Sequence, residues 1–268
     1  MEIFLHSLVL ALVQGITEFL PISSSGHLIL VPYLLGWKDQ GLIFDIAANT
    51  GTLGAVLYYF RKDVVSLYQG FIRSIKARRI VDQEGRLAWA VGIGTIPIGL
   101  IGLAVKPLVE SQGRDPKLIA IAMIVFGLFL LYADRMGRRD RVLADLDWKD
   151  ALMIGFAQAF ALLPGTSRSG ITMTVGMLAG FDRESSARFS FFLAIPVGIL
   201  AALLDIKDVA QHGLPPDQGL LFLFWGMIGS GLAGIAVIHL LLGWLKKQGF
   251  LPFVIYRLAL GVVLLKYL

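Results

Sequence analysis

Four ionisable residues lie deep inside apolar stretches of this chain: Glu18, His27, Asp45 and Arg168. Charge buried in a membrane is expensive and marks function by default. Three of the four sit in or beside two polar breaks, PISSSGH (21–27) and PGTSRSG (164–170). Glu18 could ligate a hard cation or act as a base. Gln14, four residues earlier on the same helical face, could lend a carbonyl oxygen, donate from its amide or simply glue helices together. Ser23, Ser24 and Ser25 follow Pro21 and precede Gly26 and His27. A helix restarting there would use them as its N-cap and aim its free N–H groups into the break, as anion sites do; plain capping is the alternative. His27 is close enough to Ser24 on a helical turn to take its proton, one recipe for a serine nucleophile. The spacing equally allows His27 as nucleophile or ligand. Around Arg168, the residues Gly165, Thr166, Ser167, Ser169 and Gly170 expose backbone and hydroxyls, and Thr172 could add another. Arginine's planar fork suits phosphate oxygens, or it could be the counter-ion of Glu18 or Asp45. Asp45 reads either as a second carboxylate or as a structural hydrogen-bonding group, and Asn49 and Thr50 read as helix glue.

The surroundings of these residues are those of a membrane protein. Of 268 residues, 56% are hydrophobic and only 16% charged, with a mean hydropathy of +0.75; soluble domains run near about 25% charged. A water-soluble globular enzyme and a disordered chain are excluded, and with no Cys so are a disulfide scaffold and a thiol nucleophile. The net charge of +5 implies no nucleic-acid partner once the positions of the Lys and Arg residues are taken into account. Stretches near the roughly 20 residues that span a bilayer predict crossings at 41–60, 87–109, 118–134, 188–204, 219–242 and 251–268. The stretches 3–36 and 151–180 are each interrupted by one of the polar breaks. Two half-length helices around a break read as a re-entrant hairpin, tolerated where irregular backbone is buried in protein or lines a wet cavity; one long kinked helix is the alternative. Trp37, Trp89, Trp148 and Trp244 fall near span ends, as belt anchors do, and His6, His212 and His239 are isolated.

Basic residues divide the loops. Loop 61–86 carries seven (Arg61, Lys62, Arg73, Lys76, Arg78, Arg79, Arg86) and loop 135–150 five (Arg135, Arg138, Arg139, Arg141, Lys149). Segments 181–188 and 243–250 add Arg183, Arg188, Lys246 and Lys247, whereas the alternate loops hold Lys38, Arg114, Lys117 and Lys207. The positive-inside rule puts the first group in the cytoplasm. That requires the hairpin at 151–180 to enter from the cytoplasm, the first hairpin to enter from outside, and both termini to lie outside. The fold expected is an all-α polytopic membrane protein. It has six transmembrane helices plus two re-entrant hairpins in an inverted-topology repeat, one integral domain over 1–268 with halves near 1–134 and 151–268. VQGITEFLPISSSG (13–26) and AQAFALLPGTSRSG (157–170) echo each other weakly. Inverted repeats meeting at broken helices put a polar site near the membrane midplane. Its groups suit a lipid-linked phosphate and hydrolysis. A secondary transporter or flippase for an anionic substrate shares most of these features but needs no nucleophile and base. Gly226, Ser230 and Gly234 permit close helix contact, within the chain or between copies in a homodimer.

QGITEFLPISSSGHL (14–28) and PGTSRSG (164–170) resemble, in order and over essentially the whole chain, the motifs of the bacterial undecaprenyl-diphosphate phosphatase family (BacA/UppP). The resemblance implies an inner-membrane enzyme that removes the terminal phosphate of the C55 isoprenyl diphosphate carrier, recycling it for peptidoglycan synthesis. It implies a site open to the periplasmic (outer) leaflet, a divalent cation (Mg²⁺ or Ca²⁺) and a link to bacitracin resistance. Carried onto this chain, Gln14 and Glu18 are the acidic metal motif, with Gln at the first position. Ser24 is the nucleophile, His27 its partner, and Arg168 with Ser167 and Ser169 the diphosphate clamp. Lipid phosphatases of the acid-phosphatase type carry a further His where Thr174 stands.

The charge pattern fixes a topology that a single cysteine tests. With no native Cys, an Ile75→Cys variant should react with a membrane-impermeant thiol reagent only after cells are opened. Labelling of intact cells would overturn the inverted arrangement.

Overall fold

The structure, a computed structural model, describes residues 2–37, 41–112, 115–212 and 220–267. The described residues form eleven α-helices and two short 3₁₀ turns, and their one β feature is an isolated bridge between Arg141 and Phe181. The first half runs α1 (Glu2–Thr17), α2 (Ser24–Leu35), α3 (Gly41–Tyr59), α4 (Arg61–Ala77), α5 (Gln83–Gln112) and α6 (Pro116–Met136). The second runs α7 (Trp148–Gln158), α8 (Arg168–Leu178), α9 (Arg183–His212), α10 (Leu220–Leu245) and α11 (Leu251–Tyr267). Four helices, α5, α6, α9 and α10, are long and apolar enough to cross a membrane by length and composition. Together with the apolar surfaces of the rest, they make this a polytopic helical membrane protein. Lys38 and Arg114, and the side chain of His212, lie outside the described residues.

Both interrupted stretches are broken where the sequence puts Pro, Gly and Ser. Helix α1 stops at Thr17 and α2 starts at Ser24, only 12 residues long, about 18 Å at 1.5 Å per residue and far short of a roughly 30 Å hydrocarbon core. Asp147 and Asp150 start α7 with a reciprocal capping box. The N–H of Asp150, aided by that of Lys149, holds the Asp147 carboxyl below the usual range. Helix α7 runs 11 residues, tightens into a 3₁₀ turn at Ala159–Leu162 and gives way to α8, also 11 residues. The two short helices of each pair pack on each other, α1 on α2 and α7 on α8.

Residues 61–86 were expected as a loop, and here the structure differs. Arg61–Ala77 is helical, with the strongest segregation of polar from apolar residues in the chain. Val64, Leu67 and Phe71 recur at helical spacing and turn inward, Phe71 against Trp89 with ring centres 5.0 Å apart. Lys62, Arg73 and Lys76 stay exposed, as do Val65, Tyr68 and Ile75. The basic count that identified the segment masked its 3.6-residue period; a helix of this kind suits a membrane interface. The four basic segments gather at one end of the bundle. Asp63 pairs with Arg188 (2.8 Å), Asp134 with Arg183 (2.6 Å) and Glu184 with Lys246 (3.9 Å), while Arg86 donates to the Ala144 carbonyl.

The main core lies between α3, α6, α8, α9, α10 and α11, built on Phe60, Leu130, Met173, Phe191, Phe192 and Ile238. Phe19, from the first break, anchors into it edge-on against Phe191 at 5.5 Å. Gly226, Ser230 and Gly234 of α10 make their close contacts inside the chain. Gly226 faces Phe44, Ser230 Oγ donates to the Ala48 carbonyl (2.8 Å), and Gly234 packs against Phe19 and Ala55.

Asp134 joins three segments at the basic end. It is 4% exposed and accepts from Arg183 Nε (2.6 Å) and the Phe250 N–H (3.0 Å). Asp134→Ala should strand both donors and destabilise the protein by about 3 kcal/mol, read as a lower thermal midpoint in detergent; an unchanged midpoint would show that the junction carries no stability.

Candidate functional site

The two breaks meet, and they are built alike. Ser23 and Ser167 both hold positive φ (74° and 73°), and each caps the following helix by accepting from an N–H three residues on, Gly26 at 3.3 Å and Gly170 at 3.1 Å. The first helical residue after the cap is Ser24 in one break and Arg168 in the other. The breaks are stitched together: the Gly165 N–H donates to Ser23 Oγ (3.0 Å), and Ser169 Oγ donates to the Leu20 carbonyl (3.1 Å). Gly165 has φ +93°, and a Cβ there would sit 2.5 Å from the Ile119 carbonyl oxygen. Close approach of the second break to α6 therefore requires glycine.

Glu18, just past the end of α1, is the hub. Its Oε1 accepts from Arg168 Nη2 at 3.0 Å. Its Oε2 accepts from Ser24 Oγ at 2.5 Å and from Gln14 Nε2 at 3.1 Å. Gln14 is wholly buried, and its amide nitrogen also donates to Asn49 Oδ1 at 2.6 Å. Two acceptors facing one end of the amide require its nitrogen there. Arg168 is held from behind by the Ser190 carbonyl (3.0 Å). The carboxylate and the guanidinium are each largely enclosed, with side chains 18% and 14% exposed, so their attraction is screened far less than at a surface. These groups border a cavity of about 380 Å³. Glu18, Ser24, Ser25, Asn49, Thr50 and Arg168 supply its polar wall, and Ile46, Leu53, Val56, Ile98, Val197 and Ala201 much of its apolar one.

Of the residues expected at the site, Glu18, Ser24, Ser25, Ser167 and Arg168 line the cavity, and Gln14 stands behind Glu18. Ser23, Gly26, Gly165, Ser169 and Gly170 hold the two breaks in shape. Thr172 turns away, donating to the Arg168 carbonyl (2.8 Å) and lying 2.7 Å from Ser190 Oγ. Thr166 is buried with its hydroxyl unpartnered. Asp45, half-buried on α3, is not part of the cavity lining. Asn49 and Thr50, expected as helix glue, do line it.

The expected pairing of Ser24 with His27 is not what the structure holds. His27 is 6% exposed and lies off the cavity; its Nδ1 is 2.7 Å from the Ser23 carbonyl and its Nε2 2.6 Å from Tyr256 Oη. Both ring nitrogens are engaged, and the Ser24 hydroxyl is already bonded to Glu18. Sequence proximity on α2 brought Ser24 and His27 near each other, but the turn at Pro21 brings the carboxylate back onto the serine. His6 and His239, isolated in the sequence, each meet an aromatic side chain, one stacked on Trp37 with ring centres 3.8 Å apart, the other 3.2 Å from Tyr59 Oη.

A fifth deep ionisable group escaped the sequence reading. Arg257, in the middle of α11, is fully buried and makes no salt bridge among the described residues; there its guanidinium donates to carbonyls, of Met123 (3.0 Å), Pro21 (3.0 Å), Gly165 (2.8 Å) and Ala122 (3.4 Å). The signal was available, an arginine well inside the apolar run 251–268.

A serine hydroxyl bonded to a carboxylate can be activated as a nucleophile, and a guanidinium beside two helix N-termini can hold phosphate oxygens. Comparison with known proteins bears on the chain as a whole. The family model for bacitracin resistance protein BacA matches residues 7–263. The undecaprenyl-diphosphatase of Magnetococcus marinus is 55% identical over 267 residues, covering 98% of each chain. The undecaprenyl-diphosphatase 2 of Stutzerimonas stutzeri is 50% identical over 261 residues, covering 96% of each. The undecaprenyl-diphosphatase of Nitrosococcus oceani is 49% identical over 261 residues, covering 97% of each.

Proposed function

The chain belongs to the bacitracin resistance protein BacA family, and on that premise we propose that the Glu18–Ser24–Arg168 cluster removes the terminal phosphate of undecaprenyl diphosphate, leaving undecaprenyl phosphate. The observation that carries this reading is the short Ser24–Glu18 hydrogen bond facing Arg168 at the polar end of a cavity with an apolar wall. The diphosphate belongs at the polar end, against Arg168 and the N–H groups that open α2 and α8. The first isoprenyl units run along Leu53, Val56, Ile98 and Val197, with the rest of the chain in the bilayer. The product returns the lipid carrier to cell-wall synthesis.

Ser24 Oγ forms a bond to the terminal phosphorus as the bond from that phosphorus to the bridging oxygen breaks. The hydroxyl proton passes to Glu18 and from there to the departing undecaprenyl phosphate. Glu18 then takes a proton from the water that attacks the phosphoserine and returns it to Ser24 Oγ as the bond from that oxygen to phosphorus breaks, releasing inorganic phosphate. Arg168 neutralises the charge spread over the transferred group, and Gln14 and Asn49 keep the carboxylate aimed. Phosphoryl transfer asks little else of a protein than positioning and charge stabilisation. His27 acts behind the reaction, fixing the Ser23 carbonyl.

The donor set also bears on a divalent cation. Among the described residues no group of three or more His, Cys, Asp or Glu side chains could enclose a metal. One carboxylate beside the substrate's own oxygens is nonetheless the arrangement by which Mg²⁺ is held in phosphate sites. Glu18 would hold it, with the diphosphate; Gln14, whose nitrogen faces Glu18, supports the carboxylate. The cation would supply further neutralisation of the diphosphate.

The same reading sets the chain in the bacterial inner membrane. It has six crossings (α3, α5, α6, α9, α10, α11), the basic end in the cytoplasm, and both termini and the cavity mouth outside. An inverted repeat matching α1, α2, α3, α5 and α6 to α7, α8, α9, α10 and α11 is supported by the packing. Helix α1 lies on α10 as α7 lies on α5, α3 on α10 as α9 on α5, and the pairs α3–α9 and α6–α11 map onto themselves. The equal capping by Ser23 and Ser167 supports it too.

Purified protein in detergent should release inorganic phosphate from undecaprenyl diphosphate, and a chelator should suppress that release. Detergent abolishes compartments, so absence of release would sink the hydrolase reading. Ser24→Ala and Glu18→Gln should each lower kcat at least about 100-fold, whereas His27→Gln should cost much less. Arg168→Lys should stay strongly impaired because the fork is lost. Wild-type rates in Ser24→Ala would eliminate the serine nucleophile, and a His27→Gln defect as deep as that of Glu18→Gln would restore histidine as the base.

A further inference from the structure

We infer that Arg257, assisted by its neighbour Tyr256, is a positioning residue of the reaction: it locks the two broken segments into the register that sets Ser24 opposite Arg168. This inference rests on the hydrolase reading above and adds to it a part of the machinery remote from the cavity.

Three observations converge on α11. A permanent cation with 0% exposure would ordinarily call for a carboxylate, and Arg257 makes no salt bridge among the described residues. Every nitrogen of its guanidinium goes instead to a backbone carbonyl. Nη1 takes Pro21 of the first break (3.0 Å), Nη2 takes Gly165 of the second (2.8 Å) and Ala122 (3.4 Å), and Nε takes Met123 on α6 (3.0 Å). One side chain thereby ties both breaks to one rigid helix and to each other. Pro21 stands three residues before Ser24, and Gly165 three before Arg168. The two clamped carbonyls thus occupy the same place relative to the two residues that face the cavity. Tyr256 extends the clamp, since its hydroxyl meets His27 Nε2 at 2.6 Å while His27 Nδ1 meets the Ser23 carbonyl at 2.7 Å. His27 and Tyr256 also lie nearly parallel, with ring centres 5.6 Å apart. The chain leaves room for this: a Cβ on Gly170 would come within 3.2 Å of Arg257 Nη1, and one on Gly127 within 3.3 Å of Arg257 Cβ.

The fork geometry explains why arginine does this. Five N–H donors in a plane reach carbonyls lying in different directions, whereas a lysine ammonium is a point donor on a flexible stem. A displacement of about 1 Å between nucleophile and phosphate clamp can cost on the order of 100-fold in rate, so an element far from the phosphorus can govern turnover without touching substrate.

The test is steady-state phosphate release in detergent by Arg257→Lys and Tyr256→Phe, with wild type alongside and thermal midpoints recorded for each. Arg257→Lys should lose at least about tenfold in kcat with KM within twofold of wild type, and Tyr256→Phe about threefold in kcat with the same unchanged KM. A kcat equal to wild type per folded molecule in Arg257→Lys, or a loss confined to KM, would overturn the inference. If Arg257→Lys does not accumulate, Tyr256→Phe decides alone, because it keeps the ring and removes one hydroxyl from a side chain 43% exposed; wild-type kcat there would overturn the clamp. A wild-type protein that releases no phosphate would instead refute the underlying reading.

Discussion

Chain that leaves helical geometry inside an apolar bundle must have its backbone polar groups satisfied by the protein itself. The structure is organised around that requirement. The carbonyls of Leu20, Pro21, Ser23 and Gly165 and the N–H groups of Gly26, Gly165 and Gly170 are met by Ser169, Arg257, His27, Ser23 and Ser167. Ser169 and Ser23 reach across to the other break, and Arg257 serves both. Neither broken segment is therefore complete without the other, and the cavity between them is a by-product of how each satisfies its neighbour.

Electrostatics is the second layer. Once the backbone is satisfied, a single carboxylate and a single guanidinium among the described residues are left facing the cavity, with a serine hydroxyl bonded to the first. Glu18 is reached by an amide, a hydroxyl and a guanidinium at once, which fixes its orientation more tightly than any one of them could. Anchoring of Phe19 into the aromatic core carries that rigidity down into α9.

Much of this was legible in the residues, and what was not has a physical reason. Both breaks announced themselves because Pro, Gly and Ser interrupt apolar runs, and the long helices α5, α6, α9 and α10 followed from length and hydropathy. The charge count at 61–86 was read as a loop although Val64, Leu67 and Phe71 kept helical time beneath it. Pairing was harder still. Ser24 and His27 are neighbours along one helix, while Glu18 reaches Ser24 through a reversal of the chain whose direction no local pattern encodes. Arg257 was missed for the opposite reason. Nothing breaks the helix around it, so it passed as part of a crossing, and its partners are carbonyls of residues more than a hundred positions earlier in most cases.

The Glu18–Arg168 contact bears on how any anion comes and goes. The guanidinium already has a resident carboxylate as its partner, so the proposed site is not a vacant positive hole. Any anion brought to Arg168 would have to share that partner or take its place. A self-quenched charge pair of this kind disfavours trapping of stray anions and rewards only a ligand that offers more than one charged oxygen.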